Sequence, residues 1–128
     1  MVKFCIKFKP KDHENINVDK LKNINGIQTP EISKSDDNVC HLFIIKIQKQ
    51  FSISRDKLFR KLLEAGIRTS VHYKPLHKFS LYKNKCKIYF PLKISKLVYP
   101  QILSLPLFPQ ITKNEMNSVI TVLKKQQK

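Results

Sequence analysis

The side chains best suited to chemistry are concentrated in one short stretch, SVHYKPLHKF, where His72, Tyr73 and His77 place two imidazoles and a phenol close together. Two histidines can begin a metal site, but catalytic zinc needs three protein ligands. Cys86 follows His77 only after nine residues and no His or Cys pair has a finger spacing, so the sequence argues against a metal. Cys40 and His41 offer a nucleophile beside a base. They fall in a stretch with strand character, where neighbours point to opposite faces, so the pair cannot act together and Cys40 reads as a core thiol. Asp36 and Asp37 lie in a polar loop with no paired acid elsewhere, and Gly26 and Gly66, the only glycines, cannot build a phosphate cradle. Taken residue by residue, the chain holds no complete catalytic constellation.

Composition bounds what can position these groups. With 128 residues, 41% of them hydrophobic, the chain is long enough for one domain with its own core. Its formal net charge is +16, yet all but three of its 25 basic residues are lysines, dispersed along the length. Nucleic-acid sites favour arginine forks and aromatic platforms, and no RRM-type aromatic run, KH-type GXXG or finger spacing occurs. Solvated lysine faces account for the charge; a basic binding module for an anionic partner such as nucleic acid is the alternative. The longest unbroken apolar run, Leu42 to Ile45, is strand-sized and far short of a membrane span. Lys3, Lys7 and Lys9 interrupt the N-terminus as an export signal, and three widely spaced cysteines suit a reducing compartment, so a cytoplasmic location is expected.

The elements follow from periodicity and punctuation. Val2, Phe4, Ile6 and Phe8 alternate with lysines and Cys5, which predicts a strand over residues 1–9 ended by Pro10. Asn17 can cap a short helix from Val18 to Ile24 with Gly26 at its left-handed end; a hairpin at Asn25-Gly26 is the alternative. Residues 28–38 are polar, contain Pro30 and read as a loop, whereas Val39 to Ile47 is a mostly buried strand. Ser54 caps the clearest helix, in which Leu58, Phe59, Leu62 and Leu63 form the buried face and Gly66 the stop. Ile67 to Tyr73 is expected to return as a strand beside or near Val39 to Ile47.

Residues 74–91, lysine-rich and containing two prolines, form a long irregular connection of the sort that is usually functional or disordered. A short helix from Pro91 to Tyr99, begun by its proline and ended by Pro100, leads to a brief strand from Ile102 to Leu105. The last helix opens on the capping box Thr112 to Glu115, carries Met116, Val119, Ile120 and Leu123 as a stripe, and frays into KKQQK. This order predicts a small α+β domain with helices packed on one face of a three- or four-stranded sheet.

Seven features in register carry a resemblance. They are HLF from His41 to Phe43, an arginine-led helix ending in AGI (Ala65 to Ile67), HYxPLH from His72 to His77, Tyr82, the pair Phe90 and Pro91, LSLPLFP from Leu103 to Pro109, and the capped last helix. With VDKLKNINGIQTP upstream, the chain resembles, over about residues 18–125, the C-terminal part of the DegT/DnrJ/StrS family of pyridoxal-phosphate-dependent sugar aminotransferases. Residues 1–17 lie outside the resemblance, and residues 18–128 form the aminotransferase-like C-terminal domain.

The resemblance implies the small C-terminal domain of a type I aminotransferase fold, closing over a large domain that binds pyridoxal phosphate. It implies amino transfer from an amino acid such as glutamate to a keto sugar carried on a nucleotide, as in polysaccharide biosynthesis. By the same resemblance His72, Tyr73 and His77 are substrate-binding residues that face the sugar nucleotide or shape its pocket. The plainer alternative is that His72 and His77 pin a turn. In that family the Schiff-base lysine, the acid opposite the pyridinium nitrogen and the phosphate site belong to the large domain, and no lysine here sits in a matching motif. The chain alone is therefore expected neither to bind the cofactor nor to transaminate. It corresponds to a truncated product, or to half of a split enzyme whose large domain is encoded separately.

Overall fold

Every second residue of FIIKI is buried: Phe43, Ile45 and Ile47 turn inward while Ile44 and Lys46 are half-buried on the other face, the alternation of a strand covered by helices on one side. A computed structural model describes residues 18–31, 42–83, 85, 87–108 and 110–127. The expected strand over residues 1–9, Asn17, the loop residues 32–38 with Asp36 and Asp37, the start of the expected strand at Val39, and Cys40, His41 and Cys86 lie outside them. The described chain runs α1 (residues 18–22), β1 (Ile27–Gln28), β2 (Phe43–Ile47), α2 (Arg55–Glu64), a 3-10 turn (Leu76–Lys78), α3 (Ser80–Lys83), α4 (Lys93–Val98), β3 (Ile102–Leu105) and α5 (Lys113–Lys125). β2 is central, antiparallel to β1 with Ile27 opposite Ile47 and to β3 with Phe43 opposite Leu105.

The expected α+β architecture holds, with three strands in the sheet among the described residues. Side chains of α1, the strands, α2 and α5 meet in one core around Leu21, Ile45, Leu58, Leu62, Leu103 and Leu123. α2 starts where Ser54 accepts a hydrogen bond from the Lys57 N–H, and Gly66 follows its end at φ 76°. Its inward face is narrower than the four apolar residues suggest: Leu63 is 54% exposed, while Arg55 is buried. At about 100° per residue, Leu58, Leu62 and Arg55 fall in one arc, Phe59 lies at its rim and Leu63 beyond it. α5 forms the complete capping box, with the Glu115 N–H donating to Thr112 Oγ1 at 3.2 Å and the Thr112 N–H to Glu115 Oε2 at 2.7 Å. All four residues of its expected stripe are buried. Lys20 Nζ donates to Asn117 Oδ1 at 2.7 Å, tying α1 to α5.

Gly26 stands where α1 hands over to β1, at φ 80°, and its carbonyl accepts the Gln48 N–H at 2.8 Å. A side chain there would meet the backbone of Phe51, since a Cβ would lie 2.3 Å from the Phe51 nitrogen.

Four expectations are corrected. Ile67 to Tyr73 is no strand; it makes one bridge, Ser70 to Ser104, on β3. Pro106 stands where the next such pair, opposite Arg68, would form, and it has no N–H to give. The connection over residues 74–91 is not irregular throughout, because it contains the 3-10 turn and α3. α4 begins at Lys93 and not at Pro91, since Leu92 takes a left-handed φ of 44° just ahead of it. α5 stays helical through Lys125, and the Gln126 carbonyl accepts the Ser52 hydroxyl, so the C-terminal tail does not fray where the lysines begin.

Candidate functional site

Ser104 lies opposite Ile44 in the sheet, on the face turned away from the helices. Its N–H donates to the Ser70 carbonyl at 2.8 Å and its carbonyl accepts the Ser70 N–H at 3.2 Å. A directly opposed pair puts both side chains on one face, and His72, two residues beyond Ser70, reaches back over them. His72 Nδ1 is 2.8 Å from Ser104 Oγ and 3.4 Å from Ser70 Oγ. Both hydroxyls can rotate to donate or accept, so they hold either tautomer of the imidazole. Ser104 is buried and His72 half-buried.

Tyr73 follows directly, 74% exposed, with its ring edge-on to the His72 ring at a centroid distance of 4.8 Å. His77 is half-buried in the 3-10 turn that Pro75 opens, and its Nε2 is shielded from solvent without a hydrogen-bond partner among the described residues. The structure thus brings His72 and Tyr73 together at the edge of β3, while His77 belongs to the next turn.

Arg55 is a residue that the sequence singled out only as a helix start. A cation at a helix N-terminus opposes the helix dipole, yet Arg55 is only 8% exposed. Its Nη2 donates to the Tyr99 carbonyl at 3.5 Å, its guanidinium carbon is 5.3 Å from the Tyr99 ring centroid, and Nε is 3.1 Å from Asp56 Oδ1. That last approach is an ion pair without hydrogen-bond alignment. Lys78 Nζ approaches the same ring, 4.8 Å from its centroid, so Tyr99 joins α2, the 3-10 turn and the end of α4. The signal in the sequence is an arginine where the dipole disfavours one. A shallow depression of about 260 Å³ opens beside this cluster, with Lys49, Ser54, Arg55 and Gln101 on its wall; His72, Tyr73 and His77 do not line it.

Pyridoxal phosphate requires a shielded lysine, an acid and a phosphate cradle. The described lysine side chains are exposed apart from half-buried Lys46, and every described carboxylate is exposed. These residues do not fit the cofactor. Among the described residues no group of three or more His, Cys, Asp or Glu could hold a metal, and no helix is long and apolar enough to cross a membrane.

The architecture is that of a minor part of a sugar aminotransferase. It superposes on the Helicobacter pylori aminotransferase PseC, involved in the biosynthesis of pseudoaminic acid, with a TM-score of 0.76 at 21% identity, covering 88% of this chain and 30% of that one. Spr1654 of Streptococcus pneumoniae, solved in its PLP-form, gives a TM-score of 0.71 at 22% identity over 90% of this chain and 30% of that one. In sequence, an uncharacterized protein of Methanocaldococcus jannaschii is 32% identical over 111 residues, 84% of this chain and 28% of that protein. The chain belongs to the DegT/DnrJ/EryC1/StrS aminotransferase family, whose family model matches residues 6–124. It spans about 28% of the length of the curated relatives it matches.

Proposed function

We propose that residues 18–128 act as the small domain of a nucleotide-sugar aminotransferase, working against a large domain that carries pyridoxal phosphate. The observation that carries this reading is the clamp on His72. Ser104 and Ser70 fix an imidazole at a sheet edge, and the adjoining phenol of Tyr73 is left 74% exposed, where the domain's own core makes no use of it. A phenol held this way can donate to a phosphate or sugar oxygen of a nucleotide sugar, with His72 as the group that orients it. His77 shapes the turn behind them. The cofactor, an electron sink for amino transfer, is assigned to the large domain, because among the described residues the acids, and the lysines apart from half-buried Lys46, face solvent. Three widely spaced cysteines, an odd number that cannot all pair within one chain, suit a cytoplasmic enzyme.

The test is reconstitution. A family enzyme stripped of its own small domain is mixed with this chain, and amino transfer from glutamate to a keto nucleotide sugar is measured. Activity should return. Tyr73→Phe and His72→Ala should each lower it about tenfold, the worth of one well-placed hydrogen bond, and Lys85→Ala should leave it unchanged. Restored activity indifferent to positions 72 and 73 would remove the substrate-edge assignment.

A further inference from the structure

Tyr73 and His77 lie on a five-residue stretch between His72 and Lys78. At its start, the Ser104 and Ser70 hydroxyls hold His72 at the edge of β3. Its end is the 3-10 turn, which closes on itself: the Lys78 N–H donates to the Pro75 carbonyl at 2.9 Å and the Phe79 N–H to the Leu76 carbonyl at 3.0 Å. Those bonds give the turn its shape without fixing its place, and none of its residues is buried. Segments with few buried contacts and only local hydrogen bonds open at small cost. Placing the turn therefore falls to side chains, and Lys78 supplies the contact, with Nζ 4.8 Å from the centroid of the Tyr99 ring. The other cation nearby in sequence, Lys74, meets the Phe79 ring at 4.9 Å and so stays within the same segment.

Tyr99 is itself fixed, by α2. Arg55 Nη2 donates to its carbonyl at 3.5 Å, and the guanidinium carbon lies 5.3 Å from its ring centroid. Arg55 is 8% exposed and opens a helix whose Leu58 and Leu62 are fully buried, so the ring is held relative to the core. The Tyr99 N–H donates to the Ser95 carbonyl at 3.1 Å, which ends α4 on the same residue. Two cations repel each other, and the negative face of an aromatic ring is what lets both approach one centroid. These contacts run to the ring and the main chain, so a phenylalanine could make them and a leucine could not.

We propose that Tyr99 is a positioning residue for the substrate edge, its ring carrying Lys78 so that the segment holding Tyr73 and His77 is fixed at both ends; this rests on the small-domain reading above. With one end free, the Tyr73 phenol would sample many directions, and a bound nucleotide sugar would have to order it. With both ends held, that ordering precedes binding, and affinity rises by what the ordering would have cost. The effect belongs in KM, since a hydrogen bond to the nucleotide sugar away from the reacting carbon serves ground state and transition state alike. Arg55 acts one step further back, by placing the ring.

Two measurements test it. In the chain alone, the Tyr99 ring current should move the Lys78 ε-protons upfield of those of Lys85 in the proton NMR spectrum, and Tyr99→Leu should abolish the difference. Absence of that shift would overturn the proposal whatever the reconstituted mixture does. In the mixture that restores amino transfer, KM for the keto nucleotide sugar and kcat are measured separately. A cation on an exposed aromatic face is worth about two- to fivefold, so Lys78→Met should raise KM by that factor with kcat near its native value. Tyr99→Leu should raise KM at least as much, and Tyr99→Phe, which keeps the ring, should return most of the loss. In a Tyr73→Phe chain, Tyr99→Leu should raise KM no further, because the hydroxyl that the ring places is already gone. Urea midpoints show whether each variant is folded; Lys78 is exposed, so Lys78→Met decides the matter should Tyr99→Leu unfold the chain. Native KM in Lys78→Met, or an equal effect of Tyr99→Leu with and without the Tyr73 hydroxyl, would make Tyr99 a purely structural residue and leave the small-domain reading standing. A mixture that stays inactive with the native chain would remove that reading and this proposal with it.

Discussion

Replacing Gly26 by alanine should damage this domain far more than the same change at Gly66, although both glycines have positive φ, 80° and 76°. At Gly66 the added Cβ meets no atom of the described residues within 4 Å. The cost there is the left-handed strain of about 1–2 kcal/mol, offset in part by a less flexible unfolded chain worth about 0.4–1 kcal/mol, so the net is about 1 kcal/mol. At Gly26 the Cβ would lie 2.3, 2.7 and 2.8 Å from the N, Cα and Cβ of Phe51. Ordinary contact needs about 3.5 Å, so the segment holding Phe51 would have to retreat by roughly 1 Å. That retreat strains the hydrogen bond from the Gln48 N–H to the Gly26 carbonyl and withdraws buried Phe51 from the core. Losing part of a buried phenylalanine, worth about 3–5 kcal/mol whole, with one hydrogen bond brings the total to roughly 4 kcal/mol. Small domains have about 5–15 kcal/mol to lose. Urea denaturation followed by far-ultraviolet circular dichroism should separate the two variants by about 1.5 M, taking a slope near 2 kcal/mol per molar. Midpoints within about 0.3 M of each other would refute the close approach of Phe51 to Gly26.

Two further outcomes test the helices. Leu62→Ala should cost about 2–5 kcal/mol and Leu63→Ala under about 1 kcal/mol, and equal denaturation midpoints would mean that the inward arc of α2 is centred elsewhere. The Thr112 N–H, and next to it the Thr112 hydroxyl, hold the Glu115 carboxyl below its ordinary value of 4.5. A lowered folded value contributes stability above the ordinary one that is lost as pH falls through the folded one, so the midpoint gap between the native chain and Glu115→Gln should shrink on acidification below about 4.5; a gap constant from neutral to acid pH would count against the capping carboxylate.

What the sequence made legible was local. The capping box at Thr112, the stripe from Met116 to Leu123, the Ser54 cap and the strand from Ile102 to Leu105 all depend on near neighbours, and each stands as read. Periodicity gave α2 an apolar side but not its centre, which α5 and β3 select by packing, leaving Leu63 outside and drawing Arg55 in. The β-prone run from Ile67 to Tyr73 failed as a strand for a non-local reason, since its partner edge runs into Pro106. Likewise HYxPLH marked His72 and Tyr73, but nothing near them in the chain could show that Ser104, thirty-two residues on, would hold the imidazole. Arg55 was read only as the residue leading its helix, and its role depended on Tyr99 being brought to it by the fold.

The brevity of the sheet's outer elements bears on how a domain with so many exposed aromatics escapes misassembly during synthesis and folding. Among the described residues β1 contributes two positions and is followed closely by Pro30, while β3 is bridged at Ser104 and runs into Pro106. Neither margin offers a long row of open amide and carbonyl groups for another chain to extend, the event that seeds fibrils. The exposed aromatics lie off the strands: Phe79 and Tyr82 have backbone groups engaged close by, while Tyr73, Tyr89 and Phe90 sit on irregular backbone between elements. Association through them would be side chain to side chain, reversible and sensitive to shape. A domain can thus display an adhesive surface while giving misassembly no template to copy.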